Sequence, residues 1–119
     1  MKILIAEDEP LMLQSLALRL RKDGHEVITA NNGREAMNEF STGNPDMVVT
    51  DIMMPFASGL EVLGFIKKRT DKKTRVIVLS TMGQENVVME AFKLGADDYI
   101  SKPVSLNELS IRVTRLKPE

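Results

Sequence analysis

Five times in 119 residues a β-type apolar run gives way to a stretch of helical period, and this alternation limits the fold more than any other feature of the chain. The first run, Ile3-Leu4-Ile5-Ala6, leads to Pro10, which suits a first helical position. Leu13, Leu16, Ala17 and Leu20 then recur at i, i+3, i+4, i+7 spacing up to Asp23-Gly24. Residues 26–30 read as a second strand, and Asn32 as the cap of a helix through Ala36, Met37 and Phe40 that ends near Gly43. Residues 46–51 form the third run. Ser58-Gly59 opens a helix carrying Leu60, Leu63, Ile66 and Lys67 into a polar stretch at 69–74. Residues 75–80 read as a strand, 85–94 as a helix stopped by Gly95, and 98–101 as the fifth strand. Ser105, with Glu108 three residues on, has the spacing of a capping box and starts a last helix through Leu109, Val113 and Leu116.

Strands that alternate with helices imply a parallel sheet with right-handed crossovers and helices on both faces. At this length a closed eightfold barrel is excluded. The expected architecture is α/β, a flavodoxin-like (βα)5 doubly wound five-stranded parallel sheet in the order 2-1-3-4-5, with its switch point between strands one and three. One domain and one core follow from the size.

Ligands bind at the carboxyl ends of the strands in such sheets, and four of the runs end there in polar residues. Glu7-Asp8-Glu9, Asp51, Ser80-Thr81 and Lys102-Pro103 each follow a strand directly. Taken singly, an acid at a strand end is an ordinary turn or cap residue, Ser80 a turn hydroxyl, and Lys102-Pro103 a strand terminator. Their convergence on one edge is what carries information. Two carboxylates about 4 Å apart repel by about 4 kcal/mol at an effective dielectric of about 20, so a cation must compensate. Lys102 offers one positive charge. A hard divalent ion with oxygen ligands offers two, and Mg2+ suits a site with few protein oxygens that phosphate completes.

Composition removes other classes of function. The chain has no cysteine, which excludes thiol catalysis, Cys-based zinc sites and disulfides and agrees with a reducing compartment, the cytoplasm by default. A net charge of -1 without a long run of one sign gives no electrostatic surface for nucleic acid. The apolar opening is too short for a signal peptide and no stretch is long enough to span a membrane. There is no GxxxxGK phosphate loop. The flavin-phosphate loop of a flavodoxin is absent after strand one, where Glu7-Asp8-Glu9-Pro10 would repel a phosphate lacking a metal. The lone histidine, His25, reads as an exposed loop residue away from the acids, and most of the eight methionines as core filler.

The spacing of 43 residues from Asp8 to Asp51, 29 to Ser80 and 22 to Lys102 resembles the receiver domain of bacterial two-component response regulators. So do Asp51-Ile52-Met53-Met54-Pro55, Ser58-Gly59 and Gly95-Ala96-Asp97-Asp98-Tyr99-Ile100-Ser101-Lys102-Pro103, and the likeness spans the chain. It implies that Asp51 is the phosphoacceptor, taking a phosphoryl group from a sensor histidine kinase or a phosphotransfer protein. Glu7, Asp8, Asp51 and the backbone carbonyl of Met53 would hold Mg2+, with Glu7 acting at least partly through water. Lys102 would pair with the phosphoryl oxygens and Ser80 would donate to one of them. Tyr99 would be the aromatic switch that follows Ser80, remodelling the surface of helix four, strand five and helix five. The same pattern implies a cis Lys102-Pro103 bond, as a fixed tight turn also would. Side chains at Met53 and Met82 would influence the lifetime of the phosphoryl group. The domain would be a signalling element catalysing only its own phosphoryl transfer and autodephosphorylation.

Two other readings use the same residues. An aspartate-nucleophile phosphohydrolase needs a second acid two residues after the nucleophile, where this chain has Met53; a receiver-like module that is no longer phosphorylated should lack one of the acids, the hydroxyl or the lysine, and all are present. Residues 95–100 and Glu108-Leu109 further resemble the OmpR/PhoB subfamily, which implies a homodimer through helix four, strand five and helix five. Asp98 and Arg112 match one charge pair of that interface, while Val88 and Thr114 stand where cations are expected. Residues 1–119 read as one receiver domain closing near Leu116, with an output domain absent or removed, Pro118 suiting a linker, and no direct nucleic acid binding by this segment.

Overall fold

The computed structural model describes residues 1–69 and 71–117; the linker reading of Pro118 lies outside them. Five strands, β1 (Lys2–Ala6), β2 (Glu26–Ala30), β3 (Met47–Asp51), β4 (Arg75–Ser80) and β5 (Asp98–Ser101), alternate with α1 (Pro10–Lys22), α2 (Gly33–Gly43), α3 (Gly59–Lys67), α4 (Glu85–Lys93) and α5 (Leu106–Arg115). All pairings are parallel, in the order β2-β1-β3-β4-β5. The expected fold is therefore the observed one. Among the described residues no helix is long and apolar enough to cross a membrane.

Period-two alternation in the central strands explains the two helix layers. Ile3, Ile5, Met47, Val49, Ile77 and Leu79 pack with Leu16, Leu20, Leu109 and Val113 of α1 and α5. The intervening Leu4, Ala6, Val48, Val76 and Val78 face the other way, onto Ala36, Phe40, Val62, Leu63 and Ala91 of α2, α3 and α4. β1, β3 and β4 are buried on both faces, so a one-residue slip would exchange two complete packing sets, which pins the register.

Helix starts follow local chemistry. Asn32, Ser58 and Ser105 accept the N–H groups of Glu35, Glu61 and Glu108 at 2.8, 3.3 and 3.2 Å. The capping box at Ser105 is half formed, because the Glu108 carboxylate turns to Arg112 at 3.3 Å instead of to the cap backbone. α2 ends on Asn44 in the left-handed region, and Gly95, at φ +108, stops the α4 segment. His25 is half-buried beside Met1, with Nδ1 3.2 Å from the amino nitrogen, and not the exposed loop residue its sequence context implies.

Candidate phosphoacceptor site

The register brings the strand ends to one edge: Ala6 pairs with Thr50, Asp51 with Leu79, and Ser80 with Ser101. Glu7, Asp51, Ser80 and Lys102 therefore emerge beside one another. Two glycines let the loops close around them. A Cβ at Gly59 would lie 2.2 Å from the Asp51 carbonyl oxygen, and one at Gly33 would lie 1.9 Å from that of Ala57, so only glycine admits both approaches. The loop after β3 includes Phe56, exposed and at φ +71, a conformation costing about 1–2 kcal/mol in a bulky residue. The Arg34 guanidinium lies 5.2 Å from the centre of its ring.

Lys102 Nζ donates to Asp51 Oδ2 at 2.7 Å and to Glu7 Oε1 at 2.8 Å. Glu7 is 0% exposed and Asp51 5%, whereas Asp8 beside them is open to solvent. Carboxylate oxygens of Glu7, Asp8 and Asp51 lie within 4.8 Å of one another. Burial, with the hydrogen bond to Asp51 added to it, pushes the Glu7 carboxyl up to about 7 from an ordinary 4.5, against the pull of Lys102. Burial pulls the Lys102 ammonium down, but its bonds to Asp51 and Glu7 outweigh this and leave it above its ordinary value. One ammonium cannot neutralise three acids. The hard oxygen donors, crowded together with a negative charge left over, fit Mg2+ in preference to a soft metal.

Ser80 is 3% exposed at the end of β4, and Met53 sits exposed two residues past Asp51. The Lys102–Pro103 bond is cis, as its pattern implies. Tyr99, 40% exposed, meets Phe92 edge to face at 6.0 Å. Between it and Ser80 lies a cavity of about 450 Å³, whose lining includes Met82, Val88 and Met89. Arg112 Nη1 reaches Asp98 Oδ1 at 2.6 Å within the chain. Glu7, Asp8, Asp51, Ser80 and Lys102 thus gather at the sheet edge, and Tyr99 faces the adjoining cavity. Sequence reasoning missed the grip of Lys102 on Glu7 as well as Asp51, and the bond from Thr81 N–H to Gln84 Oε1 at 2.7 Å. No local pattern signals the first, but a glutamine just before a helix could have drawn notice to the second.

A doubly wound sheet with an acid cluster at its switch point belongs to the class of α/β proteins whose ligand site lies at the carboxyl ends of the strands. The chain belongs to the response regulator receiver domain family, whose model matches residues 3–114. It is 40% identical over 116 residues to response regulator RR06 of Streptococcus pneumoniae, covering 98% of this chain and 52% of that protein. It is 35% identical over 112 residues to the alkaline phosphatase synthesis transcriptional regulatory protein PhoP of Bacillus subtilis, covering 94% and 46%. The chain spans about half the length of the curated relatives it matches. Among solved structures, a receiver domain protein from Clostridium thermocellum superimposes with a TM-score of 0.89 at 38% identity, covering 96% of this chain and 91% of that one. The Francisella response regulator 1452 receiver domain gives 0.87 at 36%, covering 97% and 94%. The chain is accordingly a receiver domain of the two-component signalling type.

Proposed function

We propose that residues 1–119 form one cytoplasmic phosphoacceptor domain in which Asp51 takes a phosphoryl group from a phosphohistidine of a sensor histidine kinase or phosphotransfer protein. A carboxylate oxygen of Asp51 attacks phosphorus, the P–N bond breaks, and the imidazole nitrogen keeps the electron pair. The observation that carries this reading is the two-pronged hold of Lys102 on Asp51 and Glu7 at 2.7 and 2.8 Å, inside a cluster of three acids. Lys102 orients Asp51 before transfer and is placed to follow the negative charge onto a phosphoryl oxygen afterwards.

Glu7, Asp8, Asp51 and the Met53 carbonyl would hold Mg2+. When bound, the ion supplies charge stabilisation for the transferred group. Ser80 supplies a hydroxyl donor to the product, which draws the β4–α4 loop toward Asp51. Tyr99 then turns into the cavity beside Ser80, so that phosphorylation shifts the population between two packings of the α4–β5–α5 surface. Autodephosphorylation returns the domain to rest, at a rate influenced by the side chains of Met53 and Met82.

Relatives named as transcriptional regulators support an output role in which the altered surface controls a partner or an attached domain, including through a homodimer. In that dimer Arg112 and Asp98 would exchange their present intrachain bond for one across the interface. Light scattering at tens of micromolar, with and without a phosphoryl mimic, tests this; a monomer in both conditions counts against it.

Incubation with Mg2+ and acetyl phosphate is expected to add one phosphoryl group by mass spectrometry, and Asp51→Asn to abolish the addition. Labelling that survives this substitution would overturn the assignment.

A further inference from the structure

Beside Ser80 a backbone donor is already occupied by a side chain. Thr81 N–H donates to Gln84 Oε1 at 2.7 Å, and Gln84 N–H returns a bond to the Thr81 carbonyl at 3.3 Å. Gln84 stands at the N-cap position of α4, yet its side chain makes no capping bond, whereas Asn32, Ser58 and Ser105 cap α2, α3 and α5. Its acceptor is spent on Thr81 and the first turn of α4 goes without one.

The direction of Thr81 N–H follows from its neighbour. The Ser80 carbonyl points toward β5, where it accepts Lys102 N–H at 2.6 Å. In a trans peptide the N–H of the next residue points the opposite way. Thr81 N–H is therefore aimed at the β3 side, where Asp51 ends its strand in register with Leu79. A phosphoryl group on Asp51 would present three oxygens there. Lys102 already donates to Asp51, while Glu7 and Asp8 would hold a cation beside it, and the β4 side offers the Ser80 hydroxyl and this N–H.

We infer that Gln84 is a positioning residue that acts through Thr81: its side-chain carbonyl holds the Thr81 N–H in the resting domain and must be displaced before that N–H can bind a phosphoryl oxygen on Asp51. The inference rests on the phosphoacceptor reading of Asp51. Once displaced, the Gln84 side chain no longer ties the start of α4 to Thr81, so occupancy at Asp51 is transmitted to that helix. Gln84 thereby biases the domain toward rest.

The test is binding of beryllium fluoride, a phosphoryl mimic, in the presence of Mg2+, with Mg2+ binding alone as a control. Removing the competitor in Gln84→Ala should tighten beryllium fluoride about threefold to tenfold, the worth of one neutral hydrogen bond. Mg2+ affinity should not change. Gln84→Met, which keeps the length of the side chain without its acceptor, should behave as Gln84→Ala does. Gln84→Glu keeps the acceptor, strengthens it with charge and should bind the mimic more weakly than wild type. The Thr81 amide resonance of the resting protein should move in the Ala and Met variants. Unchanged or weakened mimic binding in both of those variants, or a Thr81 resonance that stays in place, would overturn the inference while leaving Asp51 phosphorylation intact. A wild-type chain that takes neither acetyl phosphate label nor beryllium fluoride would instead sink the phosphoacceptor reading, and this inference with it.

Discussion

At the carboxyl edge of the sheet one ammonium, Lys102, is shared by two buried carboxylates, whereas at the amino edge one carboxylate, Asp97, is shared by two cations and a backbone N–H. Asp97 Oδ2 accepts from Val76 N–H at 2.8 Å and from Lys67 Nζ at 3.0 Å, and Oδ1 accepts from Arg75 Nη1 at 3.2 Å. These bonds tie the end of α3 to the starts of β4 and β5. Burial raises the Asp97 carboxyl, but the Val76 N–H and the two cations outweigh it and hold the group below its ordinary value. Glu7, at the other end, is pushed up. The same chemical parts give a satisfied clip where donors exceed acceptors and an unsatisfied pocket where acids exceed cations. The first fastens the fold, and the second leaves room for a cation and a phosphoryl group.

The largest effect expected from breaking this contrast is at the amino edge. Asp97→Ala leaves Val76 N–H without its acceptor and two cations without their partner, and should cost about 3 kcal/mol in urea unfolding. Phosphoryl labelling per folded molecule should be unchanged; a loss of labelling would show that the two ends are not separable. At the carboxyl edge the sign reverses. Asp51→Asn removes one of the crowded charges and should stabilise the metal-free protein by about 1–2 kcal/mol while abolishing labelling. A destabilised Asp51→Asn would mean that the cluster is already balanced.

Added Mg2+ sharpens the difference further. At ten times its dissociation constant it should stabilise wild type and Asp97→Ala alike by about 1.4 kcal/mol, and Asp8→Ala much less, as read from the shift of the urea midpoint. Acid titration of metal-free protein should give slopes of opposite sign. Glu7 binds its proton more tightly when folded, so its contribution is complete below about 4.5 and is lost as pH rises through about 7, by at most about 1.4 kcal/mol per pH unit. Asp97 binds its proton less tightly when folded, so its contribution is complete above its ordinary 3.8 and is lost as pH falls through the lowered folded value. Glu7→Gln should flatten the neutral limb and Asp97→Asn the acid limb.

The carboxyl-edge cluster was far more legible in the sequence than the amino-edge clip. Glu7, Asp8, Asp51, Ser80 and Lys102 each follow an apolar run, so the parallel topology alone carries them to one edge. Asp97 sits just before β5, and its partners lie 30, 22 and 21 residues away, at places no motif marks. The same limit hid the half-formed capping box. Ser105 obeyed its spacing, but Arg112, one turn further on, drew the Glu108 carboxylate away.

Backbone period and capping chemistry are local, and so the chain by itself determined the number, kind and order of its elements and the edge on which its polar residues emerge. Which side chains share a proton or a charge was decided only by the folded arrangement. Lys102 grips Glu7 across 95 residues of chain and Asp51 across 51 because the strands arrive in register, and burial there, not residue type, moves the Glu7 carboxyl to about 7. Electrostatic strength depends on distance and on exclusion of water, and neither exists until the layers have packed.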